Sequence, residues 1–266
     1  MRKQLSFIGN SELDAVRTDA RFCAEHGFEG LEFNYWGNFE QLERSTVEQM
    51  SAVLDEHGVK CVMLGIWGWN HLALDSAERD KAHTMLQKAV EFGQLLKAEV
   101  LTTGGGLIGE DLRANVSEFA KVFPPLLDAI QAGGMVPAIY PLHGNSFFSG
   151  IEAYERVWET FPEVGIKFDP ANWRHQGLDY LRVLRAYGSK VAHLHIKEHL
   201  YHDGDMVSQP AAGMGDIEWG KVFAFLYEHN YEGPLSIEPH GPVWSKGVMR
   251  ERMLLLTQRH IGPLLI

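Results

Sequence analysis

The chain has 266 residues, and its hydrophobic and charged contents of 45% and 22% are those of a folded globular protein, which excludes extended disorder. That length suits one large α/β domain or two small ones. The formal net charge of −11 argues against a nucleic-acid backbone or an anionic membrane as the main partner.

No stretch is apolar for long enough to span a bilayer. The apolar run after Arg2 and Lys3 is too short for a signal peptide, so a cytoplasmic protein is expected. Cys23 and Cys61 each fall inside an expected element, which favours buried free thiols over a disulfide.

Short β-like runs alternate with amphipathic helical stretches along the whole chain. Leu5 to Ile8 is the first strand. Ser11 opens a helix ending near Gly27, with Leu13, Val16, Ala20 and Cys23 inside and Glu12, Asp14 and Asp19 outside. Phe28 to Asn34 is the second strand, with Glu32 and Asn34 on one face. Phe39 to His57 reads as a helix closed by Gly58, and Val59 to Leu64 as a strand leading into the aromatic loop Trp67-Gly68-Trp69-Asn70-His71. A long helix, Ser76 to Lys97, precedes a fourth strand, Val100 to Thr103. Gly104 to Gly106 follow it without P-loop or Rossmann spacing.

Asp111 to Ala132 reads as a helix bent at Pro124-Pro125. Met135 to Tyr140 is the fifth strand, running on to His143, and Ile151 to Phe161 is helical. Strand six ends at Asp169, and a helix covers Leu178 to Tyr187. Strand seven begins at Val191. A loop from Tyr201 to Gly215 leads to a helix over Trp219 to His229. Strand eight ends at Glu238, and Lys246 to His260 is the last helix. Eight alternations with no linker or composition break imply a single domain over residues 1–266. They suit a closed (β/α)8 TIM barrel better than an open doubly wound sheet.

The stretch Val191 to His199 carries the chemistry. Ala192, Leu194 and Ile196 share one parity, and His193, His195 and Lys197 share the other, which is the period of a strand. Inward-facing ionisable groups are costly unless paired or coordinated. Asp169 and Glu238 each end a neighbouring apolar run. A barrel gathers its functional groups at the C-terminal ends of its strands, so Asp169, His195 and Glu238 read as a metal site. Two carboxylates and an imidazole without thiolate suit a divalent metal ion such as manganese, magnesium, cobalt or zinc. Three protein ligands leave positions open for substrate oxygens. The competing reading is a buried salt-bridge cluster without metal.

Four late stretches and one early one resemble the signatures of the xylose isomerase-like TIM-barrel superfamily. They are Phe168 to Asn172, His193 to Glu198, Gly213 to Trp219, Tyr231 to His240, and Gly27 to Glu32. That superfamily includes sugar-phosphate isomerases and epimerases, ketose 3-epimerases and inosose dehydratases. The resemblance spans most of the chain and implies a metal-dependent enzyme acting on a sugar, keto-sugar or cyclitol, with Asp169, His195 and Glu238 as ligands. The family usually has a fourth ligand, a Glu at the end of strand five in a Glu-Asn-His-like motif. Here Pro141 stands at that place, and His143 matches the following His.

The absent Glu is both a ligand and one of two acid/base groups in the epimerases, so His143 becomes the candidate to take over as ligand or as second base beside Glu238. Lys197 and Asn172 are expected to contact substrate oxygens, and Glu32 and His71 to line the opposite wall. Trp36, Trp67, Trp69 and Trp173 are expected to stack on a sugar ring or cover the pocket. Proton abstraction next to a metal-bound carbonyl then gives an isomerase, an epimerase or, with a β-leaving group, a lyase, and the missing Glu adds weight to the lyase. The alternative is a barrel of the same family that has lost catalysis and binds a sugar or serves as a partner subunit. A repair endonuclease shares the fold, but would need more ligands and a basic groove. Oligomeric state, a homo-oligomer included, stays open.

Overall fold

The computed structural model describes residues 1–141 and 145–266; His143 lies outside the described residues. Eight parallel strands form the barrel: β1 (Ser6–Ile8), β2 (Gly30–Tyr35), β3 (Lys60–Ile66), β4 (Val100–Thr103), β5 (Val136–Ile139), β6 (Gly165–Phe168), β7 (Val191–Ile196) and β10 (Leu235–Ile237). They close in the order β1-β10-β7-β6-β5-β4-β3-β2, with every neighbouring pair parallel. The expected (β/α)8 barrel is the observed one.

Alternation along the strands divides the side chains between two cores. Phe33, Leu64, Leu101, Phe168, Leu194 and Ile237 point outward into the large core under the helices. Met63, Val100 and Ala138 point inward, and Ala192 packs against them. Gly165 makes that inner packing possible: a Cβ there would sit 2.5 Å from the Ala192 Cβ. Glu32, Lys167, His193 and His195 are buried as well. The titratable groups of the barrel are therefore held on an apolar base.

The helices depart from the sequence reading in specific ways. Residues Gly37–Gln41 form a 3-10 turn and Leu42 is extended, so α2 (Arg44–His57) starts later than expected. The stretch read as one bent helix is two, α4 (Leu112–Val122) and α5 (Pro124–Ala132). Pro124 has no N–H to bond backwards, which suits it to a first turn. Asp19, expected outside, is buried against Arg250, whose guanidinium donates to it at 2.7 Å. Cys23 and Cys61 are buried and free, as expected.

The stretch from Tyr201 to Gly215 holds an antiparallel hairpin, β8 (Leu200–His202) and β9 (Asp205–Ser208). Glu198 pins its far end. The carboxylate accepts from the backbone N–H groups of His199, Gly213, Asp216 and Ile217 and from the Trp219 indole, at 2.9 to 3.2 Å. Burial raises the Glu198 carboxyl above its usual pKa, although those donors pull it back down.

Candidate active site and metal centre

Asp169 follows β6 and has two tasks. Its Oδ1 accepts the Asn172 N–H at 3.0 Å, capping the short helix α7 (Pro170–His175). Its Oδ2 is buried and has no hydrogen-bond partner among the described residues. His195, on β7, presents Nδ1 to the same space: Glu238 Oε2 is 2.6 Å away and Asp169 Oδ2 3.9 Å. Glu238 follows β10, whose Ser236 is in register with His195. Its other oxygen accepts from Lys197 Nζ and lies beside His240 Nδ1, both at 3.1 Å. The three residues expected as ligands therefore converge.

The far side of the imidazole is fixed from below. Glu32 Oε1 lies 2.8 Å from His195 Nε2, and Glu32 Oε2 lies 2.8 Å from His193 Nε2. Facing a carboxylate, each Nε2 carries the proton, so that a metal-bound His195 would offer the ion its Nδ1 lone pair. Burial alone would raise the Glu32 carboxyl, but His195 and His193 hold it well below the usual carboxylate range. Burial pushes His193 down to about 4 against the pull of Glu32. For His195 burial acts in the same downward sense, but Glu32 and Glu238 outweigh it and keep the imidazole above its usual value. Burial opposes ionisation of Glu238 too; Lys197 and His195 overcome it and hold that carboxyl well below its usual range.

A cavity of about 460 Å³ opens above these groups, a size typical of small-molecule sites. Asn172, Lys197, Glu238 and His195 line it as expected, and Trp36 and Trp67 form an aromatic side of it. Other expectations are corrected. Glu32 lies beneath the cavity, not on its wall, because both histidines of β7 hold it in the barrel. His71 is fully buried between Phe123 and His83, with Nε2 2.8 Å from the Thr103 hydroxyl. Trp173 stacks on Phe168 in the core between barrel and helices and does not reach the cavity. Trp69 also lies off the wall, under the Lys81 ammonium.

Six residues of the cavity lining were not among the site residues read from the sequence: Ile8, Asn34, Tyr140, Lys167, Pro239 and His240. Lys167 places Nζ 2.9 Å from His195 Nδ1 and 3.9 Å from the centre of the Tyr140 ring. Burial pushes its ammonium below the usual lysine value, although Glu32, Glu238 and Asp169 all pull the other way. Tyr140 meets the Asn172 amide through its hydroxyl. Asn34 joins Glu32 at 2.7 Å to the Trp67 indole at 3.0 Å. Gly65 leaves room for that link: a Cβ there would lie 2.5 Å from Asn34 Oδ1. Parity offered a signal for Lys167, which stands two residues before Asp169 on the same strand face.

The donor set fits a divalent ion. One ligand atom each from Asp169, His195 and Glu238 lies within 4.8 Å of the other two. A buried carboxylate oxygen with no hydrogen bond is what an ion at this point would satisfy. Glu32, His193 and His195 are similarly close, but their hydrogen bonds to one another already account for that arrangement.

The sequence profile of the xylose isomerase-like TIM barrel matches residues 20–258. The chain belongs to that family. An inosose dehydratase from Clostridium perfringens is 26% identical over 116 residues, which cover 38% of this chain and 39% of the dehydratase. Among solved structures, D-allulose 3-epimerase from Methylomonas sp. in complex with D-allulose superposes with a TM-score of 0.79 at 15% identity, covering 99% of this chain and 97% of that one. The IOLI protein with a zinc atom gives a TM-score of 0.77 at 16% identity, covering 98% of each chain. The 3-keto-D-glucoside 4-epimerase of E. coli gives 0.75 at 14% identity, covering 96% and 99%. At these identities the superpositions speak to the fold.

Proposed function

We propose that this family member is a divalent-metal-dependent enzyme that moves the proton on a carbon beside a carbonyl in a sugar, keto-sugar or cyclitol. The observation that carries this reading is the buried, unpartnered Asp169 Oδ2, converging with His195 Nδ1 and Glu238 Oε2 beside a cavity of sugar-accommodating size. Asp169, His195 and Glu238 hold the ion, whether manganese, magnesium, cobalt or zinc. An ion in that position polarises a bound carbonyl and acidifies the neighbouring C–H.

Glu238 is the group that accepts the proton. It lines the cavity and stays ionised at neutral pH because Lys197 and His195 stabilise its charge. Lys197 and Asn172, on the same wall, donate to substrate hydroxyl or carbonyl oxygens. The faces of Trp36 and Trp67 offer apolar contact to the C–H side of a sugar ring.

Among the described residues no second carboxylate stands across the cavity from Glu238, and Pro141 occupies the place where the family resemblance leads one to expect it. Glu238 as the one carboxylate among the described residues of the cavity suits isomerisation, or elimination of a β-hydroxyl, better than epimerisation between two carboxylates. The dehydratase from Clostridium perfringens is in keeping with elimination, and the epimerase bound to D-allulose with the substrate class. His143 keeps its place as the candidate second acid/base by sequence alone. An assembled donor set with an unpartnered carboxylate oxygen speaks against the reading of a barrel that has lost catalysis.

No helix among the described residues is long and apolar enough to cross a membrane. A cytoplasmic setting and a small neutral substrate, with no nucleic-acid partner, complete the proposal. The test is proton exchange into a panel of ketoses and inososes in D₂O with added manganese, followed by NMR. Exchange or dehydration that disappears in Glu238→Gln supports the assignment. Equal turnover in the variant would remove Glu238 from the chemistry.

A further inference from the structure

We infer that Lys167 is a built-in counter-cation of the metal centre: its ammonium occupies the side of His195 Nδ1 that a divalent ion needs, and loading the centre displaces it. This rests on the function proposed above and concerns how the site is filled, not which sugar it takes.

Lys167 and Asp169 are two residues apart at the end of β6, so the strand period sends both side chains to the barrel interior. The Lys167 Nζ is 2.9 Å from His195 Nδ1, inside hydrogen-bond range. An ammonium has three donors and no lone pair. At an imidazole nitrogen it can only donate to the lone pair, and that is the lone pair a metal takes. Glu238 Oε2 is 2.6 Å from the same nitrogen and calls for an N–H instead. One ring nitrogen cannot be acceptor for Lys167 and donor for Glu238 at once. A cation bound to the nitrogen and to both carboxylates removes the conflict.

Without an ion, Lys167 supplies positive charge among three carboxylates, the buried Glu32 and Asp169 and the partly exposed Glu238, each of which attracts it. The geometry also shows where the ammonium goes when displaced. Its Nζ already lies 3.9 Å from the centre of the Tyr140 ring and 5.7 Å from that of Trp67, within reach of favourable contact with both aromatic faces. The flexible four-carbon stem allows a shift toward them. Lys197 has a different place, since it bonds the outer oxygen of Glu238 and leaves His195 Nδ1 untouched.

The test is manganese titration by calorimetry on the full chain stripped with chelator, comparing wild type with Lys167→Met, which keeps the stem and removes charge and donors. Lys167→Gln is the second variant should the first not fold. The expected result is a dissociation constant at least about tenfold lower in the variant, the scale of one nearby charge in a partly screened site. Melting without metal should also fall, and the rise on adding manganese should grow. A wild type that binds nothing beside a variant that binds would support the inference equally. A wild type that binds manganese with an affinity that Lys167→Met leaves equal or weakens would overturn the inference and leave the metal centre standing. Absence of binding in every protein would overturn the metal centre and this inference together.

Discussion

Asp169→Asn separates what a metal contributes to stability from what the chain contributes by itself. Oδ1 caps α7 through the Asn172 N–H at 3.0 Å, and an asparagine carbonyl can keep that bond. Oδ2 is buried without a hydrogen bond, and His195 Nδ1 and Lys197 Nζ are 3.9 and 4.0 Å away. A buried unsatisfied acceptor costs about 1–3 kcal/mol. Losing the attraction of the Lys197 ammonium, beyond hydrogen-bond range, offsets part of that. The chelator-stripped variant should therefore melt within a few degrees of the wild type.

Manganese at a hundred times its Kd changes the comparison. Wild type gains about 2.7 kcal/mol, or about 5–10 °C at roughly 2–4 °C per kcal/mol for a chain of this size. Loss of a direct ligand should weaken binding at least about a hundredfold, the upper end of what even outer partners of a metal site contribute. At the same manganese concentration the variant then gains only about 0.4 kcal/mol, a degree or two. Scanning calorimetry of both proteins with and without manganese reads the difference directly. A metal-induced rise as large in the variant as in the wild type would refute Asp169 as a ligand.

Glu238→Gln should lower the rate of proton exchange into substrate by about 10²–10⁴-fold, the usual worth of a positioned base, measured by NMR in D₂O at saturating manganese. The buried histidines predict acid sensitivity. His71 and His193 sit at about 3 and about 4, both pushed down by burial, while an unfolded histidine titrates near about 6.5. Below that value the unfolded chain takes up protons the folded chain refuses. Stability falls with pH by about 1.4 kcal/mol per unit for each histidine, down to the respective folded value. His71→Gln should flatten the slope of urea stability between pH 6 and 4 by one such increment, and an unchanged slope would count against a neutral buried His71. His195, raised instead, adds stability at low pH that is lost as pH climbs through its folded value. Glu198→Ala withdraws an acceptor from four backbone N–H groups and the Trp219 indole. It should cost at least about 3 kcal/mol and speed amide exchange across residues 199–217 before other segments open.

The barrel and the convergence of Asp169, His195 and Glu238 were legible because both follow short-range rules. Alternation from Val191 to Glu198 assigned a strand, an inward face and, with Asp169 and Glu238 at neighbouring strand ends, the convergence that the structure displays. What stayed hidden depends on contacts far apart in sequence. Glu32 reads as a wall residue until the two histidines of β7, some 160 positions away, are seen to hold it in the barrel. Trp173 follows a strand end as a pocket aromatic would, but α7 turns its indole under Phe168. The break at Phe123 and the hairpin within residues 200–208 are local events that periodicity over a long window averages away. Lys167 and Asn34 were within reach, since parity with Asp169 and with Glu32 places them inside the barrel.

Pro141 and Lys167 bear on the same quantity. A proline where a carboxylate is expected removes one negative charge from the mouth of the barrel, and a lysine inside it adds one positive charge. Both make the site more positive than its carboxylates alone would leave it. Lys167 and Lys197 bring two cationic side chains among Glu32, Asp169 and Glu238, whose charges attract them. The two lysines offset part of the carboxylate charge, so the barrel should fold without the ion and bind it with modest affinity. Protein prepared in chelator should stay folded, be inactive, and regain activity with added manganese over a concentration range set by Lys167. Unfolding on removal of metal would show that the two lysines do not carry the charge of the empty site.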